Sequence, residues 1–97
     1  MRYQVMLTPS ADGDLKRYRA FEQRVIIGAI KLHLVTDADV ETKRRKRLGE
    51  HPVAPWELRV GNFRVFYEFE GKTNVKVVAV GHKEHNDLFI RGRRVEL

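Results

Sequence analysis

Apolar and polar side chains alternate through the central part of the chain, which is the pattern of β-strands that bury one face. Aromatic and β-branched residues dominate these strands, and Gly/Asn-containing segments separate them, as in antiparallel hairpins. The strands and the turns between them follow in this order: Trp56–Val60, Gly61-Asn62, Phe63–Phe69, Gly71–Asn74 and Val75–Val80. The pattern therefore predicts a three-stranded antiparallel meander.

A two-residue turn at Gly61-Asn62 fixes the register of the first hairpin and sets Arg59 opposite Arg64. Side chains on strands alternate between faces, so one face becomes apolar and is expected to form the core. Its members are Trp56, Leu58, Val60, Phe63, Val65, Tyr67 and Phe69. The opposite face carries Glu57, Arg59, Arg64, Phe66 and Glu68.

A four-residue turn at Gly71–Asn74 would pair Glu70 with Val75 and set Arg64 opposite Gly81. Lys83 then joins the two arginines on the polar face. Like charges at cross-strand positions repel one another, so this face predicts an anionic ligand.

The same register turns Val75 and Val77 towards the polar side and Lys76 inwards. That arrangement buries a charge and exposes two β-branched side chains. A single-residue bulge in the third strand would correct it and would shift the register count.

Two helices are predicted before the meander, after an opening strand at Tyr3–Leu7. Thr8 or Ser10 is the expected N-cap of the first helix, with Pro9 in its first turn. The second helix is expected at Glu22–Val35. Core-facing residues recur at intervals of three or four: Ala11, Leu15 and Tyr18 in the first helix, and Val25, Ile26, Ala29, Ile30, His33 and Leu34 in the second. Packing both stripes on the meander gives a two-layer α+β domain that spans residues 1–97.

Composition narrows the classes of function. The chain has 97 residues, a net charge of +6 and no cysteine. The positive charge is consistent either with a polyanionic partner or with a basic surface that has no such partner. The lack of cysteine excludes a disulfide framework, thiolate metal ligands and a Cys nucleophile. The amino-terminal segment is too short and polar for a signal peptide, so we expect a soluble, cytoplasmic protein without a membrane partner.

The densest charge run is Thr42–Leu48, which contains Lys43, Arg44, Arg45, Lys46 and Arg47. Such a run is commonly a solvated face or a helix end. Because it precedes the strands that carry the two arginines, it is also a candidate for binding a nucleic-acid backbone.

Three interpretations compete for His82-Lys83-Glu84-His85. A metal site is disfavoured because no clear third ligand and no recognised zinc spacing accompany the two histidines. An imidazole beside cations could move protons during phosphodiester cleavage. His82 falls on the core-side face by register, which slightly favours a packing role, and Lys83 is the stronger functional candidate.

No phosphate-binding glycine loop and no G-x-S-x-G nucleophile sequence is present.

With these residues in view, the chain resembles the RelE/ParE superfamily of toxins from type II toxin–antitoxin systems. The resemblance covers most of the chain. It is carried by the order strand, helix hairpin, meander, and by the local sequences WELRVGNFRVFY (56–67) and VGHK (80–83).

For RelE-like members the resemblance implies metal-independent cleavage of mRNA, in the ribosomal A site, by attack of a ribose 2′-OH on the adjacent phosphate. It also implies a cognate antitoxin, a toxin–antitoxin hetero-oligomer and no cofactor. Arg64 matches the phosphate-stabilising arginine of the family, while Arg59 and Lys83 match neighbouring basic positions. His82 and His85 are the possible proton carriers.

Phe89 is the nearest match to the near-terminal Tyr or His of these nucleases, and it can stack on a base but cannot titrate. Glu57 stands where active members often have another basic residue. Two alternatives follow: a ParE-like toxin that acts on DNA gyrase without nuclease activity, and a degenerate member that only binds its antitoxin.

Overall fold

The computed structural model describes residues 1–96 and has the expected α+β architecture, with two helices packed on one face of a mixed sheet. The elements are β1 (Gln4–Leu7), α1 (Pro9–Lys16), α2 (Ala20–His33), β2 (Arg45–Arg47), β3 (Trp56–Val60), β4 (Phe63–Glu70), β5 (Asn74–Glu84), β6 (Asp87–Ile90) and β7 (Arg93–Arg94). Leu97 lies outside the described residues.

The sheet is organised around β5. One edge of β5 pairs with β4, and the other edge pairs with two strands, β1 and β6. The strand order is β2-β3-β4-β5-β6-β7, and β1 also pairs with β5. Parallel β1 pairs with residues 74–77, and antiparallel β6 pairs with residues 81–84. The site described below lies at the second half of β5.

Asp14 closes the gap that this arrangement leaves between β1 and β6. Its Oδ2 accepts the N–H of Val80 at 3.1 Å, and its Oδ1 lies 2.8 Å from Nε of Arg91. Burial raises the pKa of Asp14 above its ordinary value, against the opposing effects of the Val80 N–H and of Arg91. The carboxylate therefore satisfies a backbone donor that no strand can reach.

The two helices begin at polar caps, as their sequences indicate. The Oγ1 of Thr8 accepts the N–H of Ala11 at 3.1 Å, so α1 begins at Pro9. Helix α2 begins and ends two residues earlier than predicted, because Glu22 reaches back to accept the N–H of Arg19 at 3.0 Å. Neither helix is long and apolar enough to cross a membrane.

The first hairpin has the predicted register: Val60 pairs with Phe63, Arg59 with Arg64 and Leu58 with Val65. The predicted apolar face packs against the helices, with Leu58, Val65 and Tyr67 fully buried. The predicted helix stripe is right for Ile26, Ile30 and Leu34 but wrong for Val25, which is 52% exposed.

The second hairpin corrects the predicted turn. Glu70 pairs with Asn74 instead of Val75, so the turn is one residue shorter. A bulge at Val78 adds one residue to β5, because Phe66 pairs with Ala79 and Tyr67 with Val77. The two differences cancel, and Arg64 pairs with Gly81 as predicted.

The bulge also reverses the predicted faces of the first half of β5. Val75 and Val77 are buried in the core, and Lys76 faces outwards, 3.3 Å from a carboxylate oxygen of Glu70. The register without a bulge, with Val75 and Val77 outwards and Lys76 inwards, was therefore wrong. The single-residue bulge named as its correction is confirmed.

A second, small core covers part of the sheet face away from the helices. Phe66 was expected on a polar face, but it is fully buried with Ala54, Ala79, Leu88 and Ile90. The connector before β3 and the carboxyl-terminal segment pack over this end of the sheet through Leu48, Val53 and Val95. The rest of that face stays uncovered.

Candidate nucleic-acid interface

Cationic side chains from four neighbouring strands line the uncovered part of the sheet surface opposite the helices. We call this surface the open face and define it by Arg44, Lys46, Arg59, Arg64 and Lys83. Pairing places Lys46 beside Glu57 and Arg59 beside Arg64. The carbonyl of Arg44 accepts the N–H of Arg59 at 2.7 Å, which sets Arg44 next to Arg59 on the same face. The predicted cluster is therefore present, and β2 extends it.

Glu57 lies at the centre of the open face and is only 6% exposed. Its Oε2 accepts a hydrogen bond from Nε of Arg59 at 3.0 Å, and its Oε1 lies 3.8 Å from Nε of Arg64. One buried carboxylate thus balances part of the charge of two arginines on adjacent strands. This arrangement leaves the face with an excess of positive charge.

Arg64 is folded back onto the β3–β4 turn. Its Nη1 donates to the carbonyls of Gly61 and Phe63 at 2.8 and 2.9 Å. Its Nε is buried and, within residues 1–96, has no hydrogen-bond partner. Burial lowers the pKa of Arg64 from its ordinary value; Glu57 opposes this shift and Arg59 adds to it. The guanidinium is therefore held by these two carbonyls and by its ion pair with Glu57.

A polar cleft of about 470 Å³ adjoins Arg64 at the end of β5. It is lined by Asn62, Arg64, Lys83, Glu84, His85 and Asn86. His85 and Asn86 have φ angles of 50° and 71° and form the two-residue turn between β5 and β6. This turn brings His85 to the same cleft as the two cations. The sequence signal for the turn was an Asn before the next alternating segment, and it was missed.

His82 and Phe89 lie on the other side of the sheet, facing the helices. His82 pairs with Phe63, and Phe89 stacks on the imidazole with ring centroids 5.6 Å apart. The hydroxyl of Tyr18 is 2.7 Å from Nδ1 of His82, and Nε2 is 2.6 Å from an oxygen of Glu84. A neutral ring protonated at Nε2 satisfies both contacts.

Tyr18 was predicted only as a core residue, yet it borders a cleft of about 540 Å³ on the helix side. We call it the helix-side cleft; Tyr18, Glu22, Val25, Val60, Phe63, His82 and Glu84 are among its lining residues. Burial, with the nearby charges of Asp14 and Glu22, raises the pKa of Tyr18 to about 12. The hydroxyl is therefore protonated at neutral pH, and it donates to Nδ1 of His82 when the imidazole proton is on Nε2.

Comparison with known proteins identifies the family. Residues 5–87 match the family described as the ParE toxin of the type II toxin–antitoxin system parDE. The chain belongs to this toxin family.

The toxin also resembles a chain from the crystal structure of the RelBE2 toxin–antitoxin complex of Mycobacterium tuberculosis. The TM-score is 0.67 at 19% identity, over 86% of this chain and all of the other. At this identity the match supports the fold alone, and it agrees with the predicted RelE-like architecture. No curated protein sequence is similar enough to count as a match.

The basic run of the toxin is divided by its strand geometry. The sequence did not predict β2, whose alternation sends Lys46 to the open face and Arg45 to the helix side. Arg45 donates to the carbonyls of Val40 and His33 at 2.8 and 3.0 Å, so it caps the end of α2. Lys43 and Arg47 are exposed.

Proposed function

We propose that this toxin is a RelE-like endoribonuclease that cleaves mRNA on the ribosome without a metal ion, and that a cognate antitoxin neutralises it. The observation that carries the proposal is the cationic open face. It joins Arg64 to Lys83 and His85 in one polar cleft. Cations that converge on one surface supply sequence-independent affinity for phosphates.

The proposed reaction is a transesterification within the RNA chain. The ribose 2′-oxygen forms a bond to the adjacent phosphorus, and the bond from phosphorus to the 5′-oxygen breaks, which leaves a cyclic phosphate and a 5′-hydroxyl. The proton of the 2′-OH must be accepted and one must be given to the leaving 5′-oxygen. Arg64 and Arg59 stabilise the added negative charge, as rigid donors do for other developing oxyanions.

Proton transfer falls to the side chains that border the cleft. His85 is exposed at its rim and Lys83 is partly exposed within it, so either can reach a bound phosphate from solvent. Arg44 and Lys46 extend the face and would bind neighbouring phosphates. His82 and Phe89 lie outside this group, and we assign them to holding the end of β5 against Tyr18, in the α1–α2 connection, and against β6.

The test maps transcript 5′-ends after induced expression of the wild-type toxin, Arg64→Ala and the control Lys72→Ala, which removes an exposed cation from the β4–β5 turn. We expect new ends within translated codons for wild type and control, and none for Arg64→Ala. Arg59→Ala serves as a second variant because it leaves the two backbone hydrogen bonds of Arg64 intact. Intact transcripts in arrested wild-type cells would contradict the nuclease.

The second candidate is inhibition of DNA gyrase, which the match to the ParE family favours. The pairing of Arg59 with Glu57 also lowers the charge that is free for RNA. Growth arrest with intact transcripts and a DNA-damage response would support this candidate. Absence of arrest from a folded protein would support a member that only binds its antitoxin.

A further inference from the structure

The connector between β2 and β3 folds over the sheet face that lies away from the helices. The hydrogen bond from the N–H of Leu48 to the carbonyl of Pro55, at 2.7 Å, joins its two ends. Leu48, Val53 and Ala54 pack in or against the small core on that face. A short loop with joined ends and inward-packed side chains is a compact surface loop, and loops of this kind often carry functional residues.

This loop holds the side chain of His51 over the sheet. The imidazole is stacked on the ring of Phe66, with centroids 5.6 Å apart and an interplanar angle of 18°. Its Nδ1 accepts the N–H of Val53 at 3.1 Å. Because Nδ1 accepts this hydrogen bond, the neutral ring carries its proton on Nε2. The two contacts together fix the orientation and the tautomer of the imidazole.

The stacked rings lie beside the cationic centre of the open face. Phe66 pairs with Glu57, whose carboxylate contacts Arg59 and Arg64. Arg64 precedes Phe66 by two positions on β4, so their backbones are about 7 Å apart and their side chains leave the strand on the same side. A phosphate bound at Arg64 therefore brings its neighbouring sugar and base next to the imidazole.

The outer side of the imidazole is accessible to a ligand. Phe66 is fully buried, whereas His51 is partly exposed. Since one ring face of His51 lies against Phe66, the exposed part of the ring comprises its outer face and its edge. Aromatic ring faces, including those of histidine, are the surfaces on which unpaired nucleobases stack in RNA-binding proteins.

We infer that His51 is a base-stacking residue of the open face: an unpaired nucleobase stacks on its outer ring face while Arg59 and Arg64 hold the adjacent phosphate. The inference rests on the proposed RNA substrate, and it gives His51 no part in proton transfer. Stacking adds affinity with little preference among bases, because every base has a π-face. Phe66, His51 and the base then form a continuous stack that begins in the small core.

The test measures binding of the purified toxin to a short single-stranded RNA that contains 2-aminopurine and is methylated on its 2′-oxygens, which blocks cleavage. Two variants separate the ring from its hydrogen bond. His51→Asn keeps an acceptor for the N–H of Val53 and removes the ring, whereas His51→Phe keeps a ring and removes the acceptor. We expect His51→Asn to raise Kd by about 5- to 150-fold and to abolish the fluorescence change, and His51→Phe to retain both affinity and signal.

The opposite order of the two variants would show that His51 only holds the loop through Val53, and it would overturn the inference, as would loss of binding in both folded variants. Thermal unfolding is the control for folding. His51→Asn should leave the salt dependence of binding unchanged, whereas Arg59→Ala should reduce it. A wild-type toxin that does not bind the RNA would contradict the nuclease and the inference together. Binding that His51→Asn does not alter would contradict the inference alone.

Discussion

The two sides of the sheet at the end of β5 use similar side chains in opposite ways. On the open face, several cations share one carboxylate, and Nε of Arg64 lies 3.8 Å from its nearer oxygen. On the helix side, both ring nitrogens of His82 have partners, and the ring packs between Tyr18 and Phe89. Cations that outnumber their carboxylate partners can bind an anion, whereas a side chain whose polar atoms all have partners is held in place. Adjacent residues His82 and Lys83 therefore have different expected roles.

The variant expected to disrupt both sides at once is Gly81→Ala. A Cβ at this position would overlap the carbonyl oxygen of Phe89 and lie 2.7 Å from Cγ1 of Ile90. Because the obstacle is backbone of β6, we expect a loss of about 3 kcal/mol in the free energy of unfolding. Urea denaturation measures it. Gly13→Ala is the control, since its Cβ would meet nothing within 4 Å; it should stabilise α1 by about 0.5–1 kcal/mol.

The open face should be disrupted selectively by Glu57→Ala. This variant removes the buried carboxylate between Arg59 and Arg64 and leaves their charges uncompensated. Since Arg59 is half exposed, we expect a loss of about 2 kcal/mol, below the usual cost of breaking a fully buried pair. The loss should shrink in the double variant with Arg59→Ala, which a double-mutant cycle tests. Strictly additive effects would contradict the coupling.

The helix side should be disrupted selectively by Tyr18→Phe. Loss of the hydroxyl removes the contact to Nδ1 of His82, at about 1 kcal/mol. Transcript cleavage should persist, because the open face is untouched. Loss of cleavage in a folded Tyr18→Phe toxin would indicate that both sides of the sheet belong to one active site.

The smallest expected effect is a pH dependence that separates Tyr18 from ordinary tyrosines. Its folded-state pKa is raised from 10.0 to about 12, chiefly by burial. A raised pKa stabilises the folded protein fully below about pH 10, and this contribution is lost as the pH rises through about 12. Subtracting the phenolate absorbance titration of Tyr18→Phe from that of wild type isolates the transition. A midpoint near 10 would contradict the buried contact.

The sequence predicted the first hairpin correctly because a Gly-Asn turn and strict alternation leave one register. The second hairpin could not be counted in this way, since nothing local distinguishes the bulge at Val78 from a longer turn. Strand β2 was missed because three basic residues carry no strand pattern, and only pairing with β3 orders them.

The same limit applies to the functional residues. Arg59 and Arg64 were grouped correctly on one face by the register of the first hairpin. Lys83 joins them because the shorter turn and the bulge cancel in the count. The partners of His82 were not predicted, because Tyr18 is distant in the sequence and the contact depends on how α1 packs on β5.

The measurement that tests the account most directly compares Lys83→Ala with His82→Gln, two neighbouring substitutions on opposite sides of β5. Transcript 5′-ends are mapped after induction, with thermal unfolding of each purified variant as the control for folding. The account predicts that Lys83→Ala lowers cleavage by about 100-fold or more while His82→Gln retains it. Retained cleavage in Lys83→Ala with loss in folded His82→Gln would move the active site to the helix side and contradict the account.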